Sequence, residues 1–446
     1  MFTTEYRKKH ISAEQAAKLV KSGDWIEYGL GFCMPWTIDA ALAKRKEELR
    51  DVKVRGLMSM RPLAIVEADP ERESFIYMSW HLNAYERTLN ERGLCNYIPM
   101  SYRSQPEIYR KCLDVDVAFI TVASMDDHGC FSFSLNNTAT RAIIESSKIV
   151  VLEVNERLPR CLGGFEECVH ISEVDYIVHG EALDPIEMPE VPIRDIDRVI
   201  AGHIVSQMKD GSAIQLGIGA LPNAVGTMIA DSDLKDLGMH TEMLTDAFLK
   251  IFKSGKLNNK RKNIDRYKGV WSFSFGSREL YEWVRENPLL ASCPISYTNA
   301  AEIAGRNDNM VSINSCLEAD LFGQVSSEST SDRQISGTGG QLDFVLGCYI
   351  SNGGKSYLCM HSTFKDKQTG EIKSRILPEI PSGAIVTAPR SQLHNLVTEW
   401  GVANLAGRST WERAEMVIGI SHPDFREDLI KAAAKRGIWR QSNKIG

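Results

Sequence analysis

The sequence lacks the features that mark membrane-spanning and secreted proteins. No run of eighteen apolar residues could span a bilayer, and Met1 to His10 is polar and charged, without the apolar core of a signal peptide. The net charge is −6, so no basic surface for nucleic acid or an anionic membrane is indicated. We therefore predict a cytoplasmic protein with no nucleic-acid partner and no membrane partner.

Cysteine patterns typical of zinc sites or disulfide frameworks are also missing. The ten cysteines are scattered, with no CxxC pair and no Cys/His cluster at zinc spacing. Several lie in apolar runs such as FVLGCYI, where a thiol packs as a small hydrophobic group. We expect reduced cysteines in the core, no disulfide and no metal.

What is present favours an α/β protein of two domains. At 446 residues the chain is too long for one ordinary core. The apolar runs VDVAFITVA (115 to 123) and KIVVLEVN (148 to 155) predict buried strands, and amphipathic helical segments such as SAEQAAKLVKSG and PNAVGTMIADSDL lie between such runs. This alternation indicates largely parallel sheets.

A proline-rich segment divides the chain. Residues 182 to 195, ALDPIEMPEVPIRD, carry three prolines and suit neither a helix nor a central strand. We place the linker there, with domains at 1–188 and 189–446.

The two halves contain one similar stretch each. SGDWIEYGLGFCMPWTIDAAL (22 to 42) and DGSAIQLGIGALPNAVGTMIA (210 to 230) both predict a helix end, a turn, an apolar strand and a glycine loop that opens another helix. The matched positions are Gly29, Gly31 and Pro35 in the first stretch and Gly217, Gly219 and Pro222 in the second, apart from one extra residue. Two tandem domains of one fold explain the match most simply.

The glycine loop QLGIGALPNAV is the first candidate binding element. Backbone N–H groups at a helix N-terminus are unpaired, glycine lets a ligand approach them, and the helix dipole favours negative charge there. The loop could cradle a phosphate or stabilise an oxyanion, or it could be a tight strand-to-helix turn. It is not the dinucleotide fingerprint of a nicotinamide-dependent dehydrogenase, because Pro222 takes the place of the third glycine.

A second glycine-rich stretch is QISGTGGQLDF, residues 334 to 344. Gly337, Gly339 and Gly340 form a loop without side chains, which we expect to continue into an apolar strand, DFVLGCYI. A hairpin or bulge is one interpretation. Two such loops in one predicted domain favour the other, a site for a large anionic ligand.

Between the two loops, GMHTEMLTDAF (238 to 248) places Glu242 before an apolar run. A helix and a return of the chain could bring Glu242 back beside the first loop. A glutamate can attack an activated acyl group if it is partly desolvated and N–H donors are near; an exposed or helix-capping glutamate is the alternative. The histidines lie beside no nucleophile motif such as GxSxG, so no Ser-His-Asp site is predicted.

The ordered motifs GIGALPNAV, HTEMLTDAF, ISGTGGQLDF, STFK, VTEWGVANLAGRS and HPDFREDL resemble the acetyl-CoA hydrolase/transferase family of CoA-transferases. The resemblance covers essentially the whole chain, including SWHLNAYER, MDDHGCFSF and LEVNERLPRCLGGF. It is closest to members that act on butyryl-CoA and acetate, with those that act on 4-hydroxybutyrate next. It implies two tandem open α/β domains of the same CoA-transferase-type fold, and a homo-oligomer.

The resemblance also implies roles for particular residues. Glu242 matches the nucleophile that becomes a glutamyl-CoA thioester, and the GxGG loop supplies N–H groups near that thioester. The CoA-binding residues that it implies are Gly217, Ile218, Gly219, Ala220, Leu221, Gly339, Gly340 and Lys365. CoA is then a substrate, and neither a metal nor a separate cofactor is expected.

The implied reaction is a ping-pong transfer of CoA between a short-chain acyl-CoA and a free carboxylate, with butyryl-CoA and acetate giving butyrate and acetyl-CoA. One alternative is transfer to or from 4-hydroxybutyrate. Another is an acyl-CoA hydrolase on the same fold, which would differ in letting water reach the thioester. A non-catalytic ligand-sensing protein is disfavoured, because Glu242 and both glycine loops are present.

Aromatic and bulky residues surround the glycine turn of the first half. These are Phe32, Cys33, Met34 and Trp36, and the stretch WSFSFGSREL (271 to 280) is also rich in aromatic residues. If they line an acyl pocket, an unsubstituted chain such as butyryl suits them better than a hydroxylated one. The alternative is that they pack the interface between domains.

Overall fold

The computed structural model of the chain describes residues 2–189, 191–331, 333–440 and 442–443. Between residues 2 and 189 the helices are α1 (Phe2–Lys9), α2 (Ala13–Ala17), α3 (Trp36–Ala43), α4 (Ala64–Ala68), α5 (Ala84–Glu91), α6 (Gln105–Cys112) and α7 (Thr140–Glu145). The strands there are β1 (Trp25–Leu30), β2 (Val52–Leu57), β3 (Phe75–Ser79), β4 (Asn96–Tyr97), β5 (Val115–Val122), β6 (Cys130–Ser132), β7 (Ser147–Val154), β8 (Cys168–His170) and β9 (Tyr176–His179).

The middle of the chain continues the alternation. Its helices are α8 (Asp195–Val205), α9 (Ala220–Asp231), α10 (Asp246–Lys253), α11 (Arg278–Val284) and α12 (Ile295–Thr298). Its strands are β10 (Ala213–Leu216), β11 (Gly238–Met239), β12 (Met243–Leu244), β13 (Gly269–Trp271), β14 (Phe273–Ser274) and β15 (Leu290–Ser292).

The last part of the chain adds short strands around a few longer elements. Its helices are α13 (Ala301–Ala304), α14 (Gln341–Ile350), α15 (Thr410–Gly419) and α16 (Pro423–Lys435). Its strands are β16 (Met310–Ser315), β17 (Glu318–Asp320), β18 (Val325–Ser326), β19 (Ser329–Thr330), β20 (Arg333–Gln334), β21 (Lys355–Cys359), β22 (Thr363–Lys365), β23 (Ile372–Ser374), β24 (Ile376–Leu377), β25 (Asn395–Thr398) and β26 (Gly401–Asn404).

The chain divides into two compact units. The first contains the described residues up to Pro189 together with Val270–Thr298, and the second contains those from Val191 to Gly269 and from Asn299 onward. The chain first passes from one unit to the other beside the predicted boundary at 188/189. The prediction contained this boundary alone, because no pattern in the sequence indicates that residues 270–298 group with the first unit.

Each unit is built on a mainly parallel sheet. The strand order is β4-β3-β2-β1-β5-β7-β9 in the first unit and β11-β10-β16-β21-β25-β26 in the second. The run β2-β1-β5-β7 therefore corresponds to β11-β10-β16-β21, and a glycine loop follows the second strand of each run. β25 and β26 are antiparallel. The predicted class, two tandem open α/β domains with largely parallel sheets, is confirmed.

Local predictions agree with the structure except at one segment. The apolar runs at 115–123 and 148–155 form β5 and β7, and the helix predicted after the GIG loop is α9. DFVLGCYI was wrongly predicted as a strand, because it belongs to α14. A continuous apolar run does not separate a buried strand from a buried helix, and α14 packs on α13, β16 and β21.

Within the described ranges, every helix is too short or too polar to cross a membrane. In the same part of the chain, no group of three or more His, Cys, Asp or Glu side chains could hold a metal ion. Seven of the ten cysteines are buried, in keeping with their apolar sequence neighbours.

Candidate active site

The carboxyl ends of parallel strands in the second unit carry several of the predicted site residues. Gly217 directly follows β10, Glu242 follows β11, and the neighbouring β16 ends at Ser315. Because β10 is parallel to both of its neighbours, these positions share one edge of the sheet. Ligands of open α/β sheets bind at this edge.

Glu242 lies in the short turn between β11 and β12. Just before it, the His240 N–H donates to the Ile214 carbonyl oxygen of β10 at 3.1 Å. His240 and Thr241 are fully buried, and the His240 ring packs edge-on against Phe344 of α14. Glu242 itself is only partly buried. The turn is therefore anchored on its inner side and presents one carboxylate at the sheet edge.

Three groups surround this carboxylate. The Asn299 side-chain Nδ2 donates to Glu242 Oε2 at 2.5 Å, and the backbone N–H of Gly340 also donates to it. Asp343, buried in the first turn of α14, brings a second negative charge. Burial raises the pKa of Glu242 to about 7; the Asn299 and Gly340 hydrogen bonds oppose the rise, and Asp343 adds to it. Near neutral pH the carboxyl group is therefore balanced between its two protonation states.

Gly340 is a glycine for reasons of space. Its φ of −104° is open to any residue. A Cβ atom at this position would lie 2.0 Å from Glu242 Oε2 and 2.0 Å from Asn299 Nδ2. Two donors from separate parts of the chain thus converge on one carboxylate, in a space that no additional side chain can share.

This geometry suits covalent chemistry at a carboxyl group. A partly desolvated carboxylate can act as a nucleophile, and converging N–H donors in a protected site stabilise an oxyanion. If Glu242 carries an acyl or thioester bond through its carbonyl carbon, negative charge develops on its carbonyl oxygen when that carbon is attacked. Asn299 Nδ2 already donates to Oε2, and the Gly340 N–H donates to the same carboxyl group.

Sequence profiles decide the family. The profile of the "Acetyl-CoA hydrolase/transferase N-terminal domain" matches residues 2–186, and the profile of the "Acetyl-CoA hydrolase/transferase C-terminal domain" matches residues 276–433. The chain belongs to the acetyl-CoA hydrolase/transferase family. The first match ends within the proline-rich segment 182–195 of this family member.

Three similar proteins each match at least 97% of this acetyl-CoA hydrolase/transferase chain. The "Butyryl-CoA:acetate CoA-transferase" of Anaerostipes caccae is 50% identical over 99% of this chain and 100% of its own. The "4-hydroxybutyrate coenzyme A transferase" of Clostridium kluyveri is 36% identical over 97% of this chain and 98% of its own. The crystal structure of RipA from Yersinia pestis matches with a TM-score of 0.90 at 34% identity, covering 98% of this chain and 100% of that one.

The first glycine loop of this family member is exposed at its tip. Gly219 has φ +111° and ψ −178°, a conformation that favours glycine, and it is the N-cap of α9. Ile218 is 54% exposed at the tip of the loop, whereas Leu221 is buried and anchors the helix. The role of Gly217, Ile218, Gly219, Ala220 and Leu221 in binding CoA stays a prediction.

The second loop and the lysine differ in their relation to Glu242. Gly340 contacts Glu242 directly, and Gly339 next to it has φ +58°. Lys365 is exposed at the end of β22, which forms a hairpin with β23. It is not among the contacts of Glu242, and its role in binding CoA also stays a prediction.

Two residues of the site were missed in the sequence. Asn299 lies 57 residues beyond Glu242, between the short helices α12 and α13, in a stretch (TNAAEI) with no motif. Asp343 could have been noticed had DFVLGCYI been recognised as a helix, because an acidic residue is favoured in a helix's first turn. Only the fold brings Asn299 to Glu242.

The bulky residues of the first unit pack against one another. The Phe32 ring meets Phe275 at 5.1 Å and Tyr281 at 5.7 Å, both edge to face. Cys33 and Met34 are buried. These contacts describe packing inside the first unit, so a role of these residues as the wall of an acyl pocket stays a prediction.

Proposed function

We propose that the chain transfers CoA between butyryl-CoA and acetate through a glutamyl-CoA thioester on Glu242. As a member of its family the chain is a CoA-transferase. The observation that carries the proposal is the convergence of Asn299 and Gly340 on the partly buried Glu242 carboxylate. The relative from Anaerostipes caccae, 50% identical over its full length, supports the choice of substrates.

The first half of the proposed reaction loads CoA onto the enzyme. The Glu242 carboxylate attacks the carbonyl carbon of butyryl-CoA, and the carbon–sulfur bond breaks to give a mixed anhydride and CoA thiolate. The thiolate then attacks the Glu242 carbonyl carbon. Butyrate leaves with the electrons of the carbon–oxygen bond, and a glutamyl-CoA thioester remains. One hard step is divided into two easier ones.

The second half runs in reverse with another acid. Acetate attacks the glutamyl thioester, which releases CoA thiolate and forms a glutamyl–acetyl anhydride. The thiolate attacks the acetyl carbonyl carbon, so that acetyl-CoA departs and the carboxylate is restored. Exclusion of water preserves the thioester. The steps use CoA as a substrate and need no further cofactor; the homo-oligomer and the cytoplasmic location stay predictions.

Asn299 and Gly340 have the same task in each half. Negative charge develops on Glu242 oxygen whenever the glutamyl carbonyl carbon is attacked. Donors already aimed at the Glu242 carboxyl group stabilise this charge without reorganising at the moment of reaction. Their convergence on this carboxyl group is therefore of more use in the tetrahedral state than in the resting carboxylate.

Intact-protein mass measurement tests the proposal. After incubation with butyryl-CoA and no acceptor acid, we expect a covalent CoA adduct, discharged by acetate to give acetyl-CoA. Treatment with hydroxylamine should convert the thioester to a hydroxamate, which peptide mass mapping should locate at Glu242. Free CoA and butyrate without an adduct would show hydrolysis instead. Discharge by 4-hydroxybutyrate in preference to acetate would assign the acceptor of the other relative.

The pKa of Glu242 predicts the pH dependence of this adduct. Burial raises it to about 7, and only the ionised carboxylate attacks. At limiting butyryl-CoA, the rate of adduct formation should be half-maximal near pH 7 and fall about tenfold per pH unit below it. Stopped-flow or rapid-quench mass measurement of the free enzyme checks this. A rate that stays constant down to about pH 5 would contradict the assigned environment.

A further inference from the structure

Another carboxylate of the same unit is more deeply buried than Glu242 and has no part in the proposed reaction. Glu328 is 3% exposed. The Thr338 hydroxyl donates to its Oε2 at 2.9 Å, and the Thr387 hydroxyl donates to its Oε1 at 3.1 Å. Hydrogen bonds to a carboxylate are roughly twice as strong as those between neutral groups. Glu328 is thus a strong anchor, and Thr338 belongs to the glycine loop.

The backbone of Glu328 holds the start of the same loop. Its carbonyl oxygen accepts the N–H of Ile335 at 2.8 Å and that of Ser336 at 3.2 Å. The segment that leads into Gly337 is therefore tied to Glu328 by main-chain bonds, and Thr338 is tied to it by its side chain. Both ties end two residues or more before Gly340.

A separate tie follows Gly340 at once. The Gln341 side-chain Nε2 donates to the Ser315 carbonyl oxygen at the end of β16, at 3.0 Å. The Ser327 hydroxyl donates to Gln341 Oε1 at 2.7 Å. Gly340 is therefore held on both sides, by Thr338 through Glu328 and by Gln341 through Ser327. The adjacent residues Ser327 and Glu328 therefore hold the chain on the two sides of Gly340.

We propose that Glu328 and Thr338 are positioning residues that aim the Gly340 N–H at Glu242. The inference rests on the proposed function, because Gly340 is assigned there as a donor to the developing oxyanion. Gly339, between Thr338 and Gly340, has φ +58° and no side chain to limit its motion. The Thr338–Glu328 bond is the nearest side-chain restraint before that flexible position.

Alignment matters because a hydrogen bond weakens steeply as its angle departs from linearity. A donor that fluctuates cannot match the oxyanion through the reaction, and a misplacement of about 1 Å can cost about 10²-fold in rate. Loss of the restraint should therefore affect the covalent steps. It should leave binding of the CoA moiety nearly unchanged.

Three variants separate positioning from general stability. Thr338→Val removes the hydroxyl with little change in shape, and Thr338→Ser keeps it. Thr387→Val removes the other bond to the same carboxylate together with the acceptor of the Ser327 N–H, so it perturbs the network at least as much as Thr338→Val without touching the glycine loop. For Thr338→Val we expect a 10- to 100-fold slower kcat and adduct formation, with the KM for butyryl-CoA changed less than about threefold. Thr338→Ser and Thr387→Val should stay within about threefold of wild type in both constants.

A double variant tests whether Thr338 acts through Glu328. If it does, Thr338→Val combined with Glu328→Gln should be about as slow as the slower single variant, because the two changes remove one interaction. Thermal unfolding of each variant, measured alongside, should show comparable losses for Thr338→Val and Thr387→Val. Only the first should be slow.

The outcomes distinguish the inference from the function on which it rests. A wild-type adduct together with an unimpaired Thr338→Val overturns the positioning role and leaves the CoA-transfer mechanism standing. Equal slowing by Thr387→Val, or no recovery in Thr338→Ser, assigns Thr338 a structural role alone. Absence of any adduct on the wild type overturns both.

Discussion

Replacing Glu242 by glutamine should abolish the covalent CoA adduct and lower the transfer rate by at least about 10⁴-fold. Glutamine has nearly the same shape and can still accept from Asn299, so the surroundings of the site should remain intact. Its amide oxygen is a far weaker nucleophile than a carboxylate. Rapid-quench mass measurement with butyryl-CoA, and the rate of acetyl-CoA formation, would measure the two losses.

The Glu242→Gln variant should lose activity without losing stability. The pKa of Glu242 is raised from an ordinary value of 4.5 to about 7, so the folded state favours the protonated form. The associated stability is present below about pH 4.5 and is lost as pH rises towards 7, by at most about 3 kcal/mol. Glu242→Gln escapes that loss, so its Tm at pH 8 should not be lower than that of wild type.

Glu153 offers a matched control. Burial also raises its pKa to about 7, but it lies on β7 of the first unit. There its two oxygens accept the N–H groups of Thr37 and Ile38 at the start of α3. Glu153→Gln should still form the adduct at a rate close to wild type. An adduct lost in Glu153→Gln while its Tm stays at the wild-type value, or retained in Glu242→Gln, would contradict Glu242 as the nucleophile.

The comparison of Glu153 with Glu242 shows why the sequence alone leaves the nucleophile undecided. Both are glutamates beside apolar runs, and both are desolvated enough to share a pKa near 7. Both oxygens of Glu153 are occupied by N–H groups at the start of a helix. Glu242 adjoins a donor loop and is partly open to a ligand. That difference depends on contacts made far along the chain.

Sequence patterns were most informative where local periodicity decides the structure. The strands β5 and β7, the helix α9 and the repeated glycine loop all follow from patterns within about ten residues. α14 was mistaken for a strand because its run FVLGCYI, which packs against neighbours on several sides, is apolar without helical periodicity. Asn299 could not be found at all, since nothing near it in sequence indicates a partner 57 residues away.

Gly340→Ala should be the next most damaging substitution, with kcat lowered by about 10² to 10³-fold. The added Cβ would lie 2.0 Å from both Glu242 Oε2 and Asn299 Nδ2, well inside contact distance. Both are the ends of side chains, so the protein can fold by displacing them. The displacement separates the nucleophile from its two donors. Steady-state kinetics with butyryl-CoA and acetate would measure the loss, while thermal unfolding confirms folding.

A glycine-to-alanine change elsewhere in the same unit provides the control. Gly202 lies inside α8, where the nearest atom to an added Cβ is Met228 Sδ at 4.0 Å. Gly202→Ala should keep wild-type kinetics and raise stability by up to about 1 kcal/mol, because alanine favours the helix. Gly340→Ala with wild-type kcat would contradict the close packing of Gly340 against the Glu242 carboxylate. If kcat falls while Tm is unchanged, the effect lies in the alignment of Asn299, Gly340 and Glu242. A displaced nucleophile slows every covalent step without unfolding the unit.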